Sequence, residues 1–225
     1  MDIQANIIEF KKRLEGTSCK LVAVSKTKPA AYIREAYAAN QLDFGENKVQ
    51  ELREKPAQLP DDIRWHMIGH LQSNKVKYIA PFIHLIHAVD SLKLLEEINK
   101  QAKKNERVIE CLLQVHIARE EHKFGFDETE LMQLPGSEHF SALQHIKIVG
   151  LMGMATFTDD RAQIRSEFRH LKDIFESIKK SVELPNLEMR ELSMGMSDDY
   201  DIAIEEGSTM IRVGSKLFGP RLYIN

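Results

Sequence analysis

The chain has 225 residues, 43% of them hydrophobic and 29% charged, with a formal net charge of -3. That size suits a single domain over residues 1–225 with one large core, and the charge balance gives no electrostatic case for nucleic acid or an anionic membrane. The two cysteines, Cys19 and Cys111, lack CxxC spacing, the amino terminus has no leader pattern, and no apolar run reaches the roughly 20 residues of a membrane helix, so a cytoplasmic protein with reduced thiols is expected.

Ile3, Ile7, Ile8 and Leu14 fall near helical spacing and open the chain with an amphipathic helix. Residues 21–25 read as a buried strand, with Pro29 closing the segment, and 30–40 as a helix with Ile33 and Tyr37 on one face. Residues 42–47 give a short strand or strand end, and 48–55 a helix stopped by Pro56. The next strand, 64–69, leads into a polar turn and helix start at 70–75. Residues 84–89 form a strand, with Asp90 or Ser91 capping a helix that carries Leu92, Leu95 and Ile98. The longest strand signal is 108–117. A charged loop, Glu120, Glu121, His122 and Lys123, precedes Phe124 and Phe126, and a short helix at 131–134 is broken by Pro135 and Gly136. A strand at 146–152, a strong amphipathic helix at 162–181, a strand at 191–197, a short helix ending at Gly207 and a last strand at 209–214 complete the pattern. Eight strands separated by helical segments argue for a parallel sheet. At this length they argue for a closed (β/α)8 TIM-type barrel rather than an open doubly wound sheet.

In such barrels the site lies at the carboxyl ends of the strands, and phosphate is often held after strands seven and eight. Lys26 sits where the first strand ends. Burial there disfavours the ammonium, and a neutral amine condenses with an aldehyde to give a Schiff base; a snorkelling strand-end lysine fits the same segment. Ser193, Gly195 and Ser197 share one face if the seventh strand runs through them. Ser197 then either caps the helix at 198–206 or donates to a phosphate. On the last strand Met210, Arg212 and Gly214 share a face. A guanidinium pointing inward cannot shed its charge and needs a partner, while Gly214 and Ser215 offer backbone N–H groups. The segment reads as an anion or heterocycle site, or else as an arginine in a structural ion pair. Asn47 is a polar amide at a strand end and equally a helix cap. His66 and His70 are four apart without a surrounding HExxH helix, so no metal is expected. Met152 and Met154 read as core or pocket wall.

Six stretches carry a family resemblance: VSKTKP (24–29), FGENKVQ (44–50), HMIGHLQSNK (66–75), GLMGMA (150–155), LSMGMSD (192–198) and IRVGSKLFG (211–219). In this order, over nearly the whole chain, they resemble the pyridoxal phosphate homeostasis family (YggS/PROSC), whose fold is similar to the amino-terminal barrel of alanine racemase. The resemblance implies that Lys26 carries pyridoxal 5'-phosphate as an internal aldimine. It implies further that Arg212 faces the pyridine nitrogen, that Ser197, Gly214 and Ser215 hold the phosphate, and that Asn47 lies in the cofactor-adjacent loop, with Ser193 counted among the binding residues. Ser215 stands where many members have threonine, which keeps the hydroxyl.

The resemblance implies a carrier that buffers the cofactor or delivers it to apo-enzymes, with no catalytic residue of its own. Racemase activity would need an opposite-face tyrosine from a second domain, and Tyr78 or Tyr200 would have to replace it. An arginine at the ring nitrogen has no proton to give, which makes the ring a poor electron sink. A monomer is expected, because racemase dimers use that second domain. Two other readings stay open on the sequence: a weak racemase or transaminase using Lys26 as base, and a Schiff-base aldolase with Arg212 and Gly214 on a substrate phosphate.

Overall fold

The alternation of apolar runs with amphipathic stretches closes into a barrel. The computed structural model describes residues 2–120 and 124–220, so Glu121, His122 and Lys123 of the expected charged loop lie outside the described residues. The strands are β1 (Lys20–Val24), β2 (Asp43–Glu46), β3 (Arg64–Met67), β4 (Leu85–Val89), β5 (Ile109–Val115), β6 (Ile146–Gly153), β7 (Leu187–Ser193) and β8 (Met210–Val213). They pair in chain order, each parallel to the next, and β8 returns to β1. The helices are α1 (Ile3–Leu14), α2 (Ala30–Ala38), α3 (Val49–Glu54), α4 (Leu92–Lys104), α5 (Glu128–Gln133), α6 (Glu138–Ser141), α7 (Arg161–Ser181), α8 (Tyr200–Glu205) and α9 (Ser215–Phe218). The helix start expected at 70–75 is a 3-10 turn at Ser73–Tyr78, and α6 and α9 were not legible as helices in the sequence.

Two apolar layers explain why the strand runs are continuous rather than alternating: parallel strands in a barrel are buried on both faces. Outside the barrel, α7 lays Ile164, Phe168, Leu171, Phe175 and Ile178 on the strands, starting from the Asp160 cap, whose carboxylate accepts from Ala162 and Gln163 N–H. Inside it, Val22, Leu85, Ala88, Leu112, Val149, Met152 and Met210 pack on one another. Ser91, not Asp90, caps α4, and Cys19 and Cys111 are separate buried thiols.

The seventh strand departs from the expectation. It starts earlier, with Met189 buried in the outer layer between exposed Glu188 and half-buried Arg190, and it ends at Ser193. Two residues later Gly195 has φ +93°, which breaks extended backbone, so Ser193, Gly195 and Ser197 do not share a strand face. The following helix begins at Tyr200 with Asp199 in the cap position, so Ser197 is not its cap.

On β6 the registers with both neighbours shift between Ile148 and Gly150, a bulge that turns Val149 into the barrel. Gly150 has φ +153°, and a Cβ there would stand 1.7 Å from the Glu191 carbonyl oxygen. Gly150→Ala should therefore cost about 3 kcal/mol or more in urea unfolding. Gly136→Ala, with nothing within 4 Å, should be neutral or slightly stabilising. Equal midpoints for the two variants would contradict this account of the bulge.

Candidate functional site

A cavity of about 270 Å³ opens at the carboxyl ends of the strands, and the residues singled out by sequence meet there with one exception. Lys26, Asn47, Ser197, Arg212, Gly214 and Ser215 line it, together with apolar Val24, Ile68 and Met154. Ser193 does not line it; its side chain is fully buried below the floor and accepts from Arg212.

Lys26 lies in the turn that follows β1, half-buried, with Thr27 beside it at φ +64°. That left-handed residue is disfavoured for a β-branched side chain, so the turn needs support. Support comes from α3. The Thr27 N–H donates to Glu51 at 2.8 Å, and Lys55 Nζ donates to the Ser25 carbonyl at 2.9 Å, to Glu46 at 2.7 Å and to Glu51 at 2.6 Å. Ser25 Oγ donates to the same Glu46 oxygen at 2.6 Å. Glu46 and Lys55 are both buried, and burial pushes the Glu46 carboxyl up to about 7 against the pull of the Lys55 ammonium. None of these three supporting side chains was read as functional. Glu51 and Lys55 carry a visible i,i+4 signal, whereas Glu46 reaches them only through the fold.

Arg212 projects from β8 into the barrel and is 4% exposed. Its Nη1 donates to Ser193 Oγ at 2.6 Å and its Nη2 to the Gly153 carbonyl at 3.0 Å, so its bonding partners are neutral oxygens rather than a carboxylate. Burial lowers this guanidinium to about 10, with the charge of Asp199 acting the other way, so it stays charged at neutral pH. Asp199, raised by burial, is engaged by the Met196 N–H at 2.5 Å.

The phosphate candidates gather at the far wall. The Gly214 N–H donates to Ser197 Oγ at 3.3 Å, bringing the loop after β7 against the end of β8, and exposed Ser215 begins α9. Asn47 is not the cap of α3, which Lys48 occupies, and the buried Asn47 Oδ1 has no hydrogen-bond partner among the described residues. A buried acceptor of this kind is suited to a donor on a bound ligand or water. Sequence reading missed Lys28 as a second cavity lysine; its Nζ donates to the Pro220 carbonyl at 2.8 Å. Met154 is a cavity wall and Met152 is core. His70 is exposed against Asp90, and Phe124 stacks on it at 4.2 Å. Neither Tyr78 nor Tyr200 lines the cavity: Tyr200 accepts from Arg13, and Arg53 covers Tyr78.

Residues 1–221 match the alanine racemase amino-terminal domain family. The chain is 40% identical over 210 residues to a pyridoxal phosphate homeostasis protein of Aquifex aeolicus, covering 92% of this chain and 90% of that one. It is 37% identical over 232 residues to the human protein of the same name, covering 98% and 83%. Among solved structures, PipY of Synechococcus elongatus with pyridoxal phosphate bound superposes with a TM-score of 0.86 at 39% identity, covering 96% of this chain and all of that one. Alanine racemase of Bartonella henselae shares the fold, with a TM-score of 0.74 at 14% identity over 61% of its length.

The support under the Lys26 turn has a pH signature. Glu46 sits at about 7 in the fold against an ordinary 4.5. The stability tied to its raised value is therefore complete below about pH 4.5 and lost as the pH rises through about 7. Glu46→Gln should flatten that fall in denaturant midpoints taken across the interval. Lys55→Met, which strands Glu46, should lower stability by about 3–5 kcal/mol at neutral pH. A Glu46→Gln profile that keeps the wild-type slope would refute the assignment.

Proposed function

This chain belongs to the pyridoxal phosphate homeostasis protein family, and from that premise we propose that it binds pyridoxal 5'-phosphate in the 270 Å³ cavity and serves as a carrier of that cofactor. The observation that carries the reading is the convergence of one lysine amine, two hydroxyls with a backbone N–H, and one buried guanidinium on a single cavity. Each suits a different part of pyridoxal 5'-phosphate. When bound, pyridoxal 5'-phosphate supplies an aldehyde that condenses with a neutral lysine amine, and Lys26 is the amine we assign to it.

The rest of the assignment concerns what the residues of the chain do. The Ser197 and Ser215 hydroxyls are donors suited to phosphate oxygens, and the Gly214 N–H, which donates to Ser197 Oγ in this structure, becomes a third donor where a phosphate oxygen takes the place of that hydroxyl. Val24, Ile68 and Met154 give the ring apolar walls. Asn47 brings an acceptor that lacks a partner. Arg212, charged at neutral pH, donates to an acceptor nitrogen without giving it a proton, and Ser193 holds it from below. Such a ring contact favours retention over carbanion chemistry, which supports a carrier rather than a racemase or transaminase. The reading extends to a cytoplasmic monomer that hands the cofactor to apo-enzymes. No helix among the described residues is long and apolar enough to cross a membrane.

Attachment is tested by borohydride reduction of the reconstituted protein and peptide mapping. The tag should fall on Lys26, and Lys26→Ala should lose both the tag and the visible absorption. A tag on Lys28, whose amine is bound to Pro220, would overturn the assignment.

Phosphate recognition is tested separately. Each hydrogen bond to a charged group is worth roughly 1.5–3 kcal/mol, so removing both hydroxyls in Ser197→Ala/Ser215→Ala should weaken pyridoxal 5'-phosphate by about two orders of magnitude or more. Dephosphorylated pyridoxal should bind as before. Equal weakening of both ligands would mean that the serines shape the cavity rather than bind phosphate.

A further inference from the structure

A file of polar side chains runs through the barrel interior from the cavity floor toward the opposite end. Below Arg212, Ser193 Oγ meets His87 Nδ1 at 2.9 Å, His87 Nε2 meets His66 Nδ1 at 2.9 Å, and His66 Nε2 meets Asp43 Oδ1 at 3.0 Å. The members come from β8, β7, β4, β3 and β2 in turn. Ser193 and His87 are fully buried, and His66 is 1% exposed. We propose that this file fixes the position and hydrogen-bond polarity of Arg212, which makes His87 and His66 positioning residues of the cofactor site.

The argument is one of donors and acceptors. A guanidinium only donates and an ionised carboxylate only accepts, so the two ends of the file are set. Asp43 is ionised: burial works against it, but His66 and Arg64 outweigh burial and hold it down to about 2. Four bonds join the ends through three residues that can do either. With one hydrogen per bond, Ser193 donates to His87 Nδ1, His87 Nε2–H donates to His66 Nδ1, and His66 Nε2–H donates to Asp43. Both imidazoles are then neutral and each has a single tautomer. Ser193, donating downward, is left to accept from Arg212. Reversing the polarity would need an added proton on the imidazole pair, in a region that already holds Arg212.

The surroundings support the neutral file. Burial first, with the positive charge of Arg212 acting the same way, pushes His87 well below its ordinary value. The charged or titratable groups facing the file include Arg64, His84 and Lys11 of α1 at its lower end, Glu110 on β5, and Asp199 with Arg212 above. Asp43, His66 and His84 offer ligand atoms within 4.8 Å of one another, but Arg64 donates to both Asp43 oxygens at 2.8 and 2.6 Å. That guanidinium repels a cation and makes the trio an anchor. A merely structural interior would be met by aliphatic residues like the neighbouring Val22, Leu112 and Met210, without the desolvation of two imidazoles.

Two measurements test the proposal. The first needs no cofactor, so it does not depend on the functional reading above. Nitrogen NMR of the wild-type protein at neutral pH should find each of the two rings carrying a single proton, on Nε2. The opposite tautomer in either ring, or an imidazolium, would overturn the polarity. The second rests on that reading and uses the reconstituted protein, following the visible band of the bound cofactor through a pH titration. His87→Asn keeps an acceptor for Ser193 and should titrate as wild type. His87→Gln and Ser193→Ala remove one link and should move the midpoint by about one pH unit, the equivalent of one hydrogen bond to a charged group. Wild-type titration in both would overturn the positioning role, and failure of the wild-type protein to bind pyridoxal 5'-phosphate would instead overturn the functional reading.

Discussion

A guanidinium keeps its charge wherever the chain puts it, and this chain puts one inside a barrel. Arg212 is 4% exposed, and its two bonds go to a hydroxyl and a peptide carbonyl. Much of the interior is arranged around that fact. Ser193 must present an oxygen, so its own hydrogen must go elsewhere, which calls for an acceptor at His87. The Gly153 carbonyl is available because β6 ends there. Asp199 lies close enough for its charge to act on Arg212 without bonding it. The inner apolar layer is interrupted along one line, and that line leads from Arg212 to Asp43.

The second constraint is the turn after β1. Thr27 is held in a left-handed conformation, and the residues that hold it belong to another βα unit: Glu46 at the end of β2 and Glu51 and Lys55 in and after α3. Lys26 thus sits on a turn fixed by a buried ion pair, while Arg212 sits on a strand fixed by a polar file. Site residues backed by strands and buried polar contacts are placed more firmly than residues on free loops. The two networks are separate, approaching the cavity from different sides.

The barrel was legible because buried parallel strands write continuous apolar runs, and the eight runs recur with amphipathic helices between them. Lys26, Arg212 and Gly214 were legible as candidate residues of one cavity because each lies at or near a strand end, where barrels place their chemistry. The reading of Ser193, Gly195 and Ser197 failed at a single residue. Period two holds only while the backbone is extended, and Gly195 at φ +93° ends it, sending Ser193 under the floor and Ser197 to the wall. His66 was read against His70, four residues on, when its partner is His87 across the sheet. The β3–β4 register pairs His66 with Leu85, which brings His87 alongside. Neighbours of that kind depend on register and twist, and the spacing of letters does not record them. Glu46 was missed for the same reason.

The charge of the cavity follows from both constraints. Its lining carries Lys26, Lys28 and Arg212 against the single carboxylate of Asp198. Lys28 is bound to a carbonyl and Arg212 to a hydroxyl and a carbonyl, so neither of these two cations is neutralised by its hydrogen bonds. In a partly buried space such charge is felt more strongly than on the open surface. An anionic ligand therefore supplies what the protein leaves out. A phosphate offers acceptor oxygens to Ser197, Ser215 and Gly214, and its charge offsets the cations without bringing a carboxylate to the guanidinium. A phosphorylated heterocycle suits this lining on two further counts, because it brings an acceptor nitrogen within the reach of a buried guanidinium and polar atoms to a wall that holds the unpartnered Asn47 Oδ1.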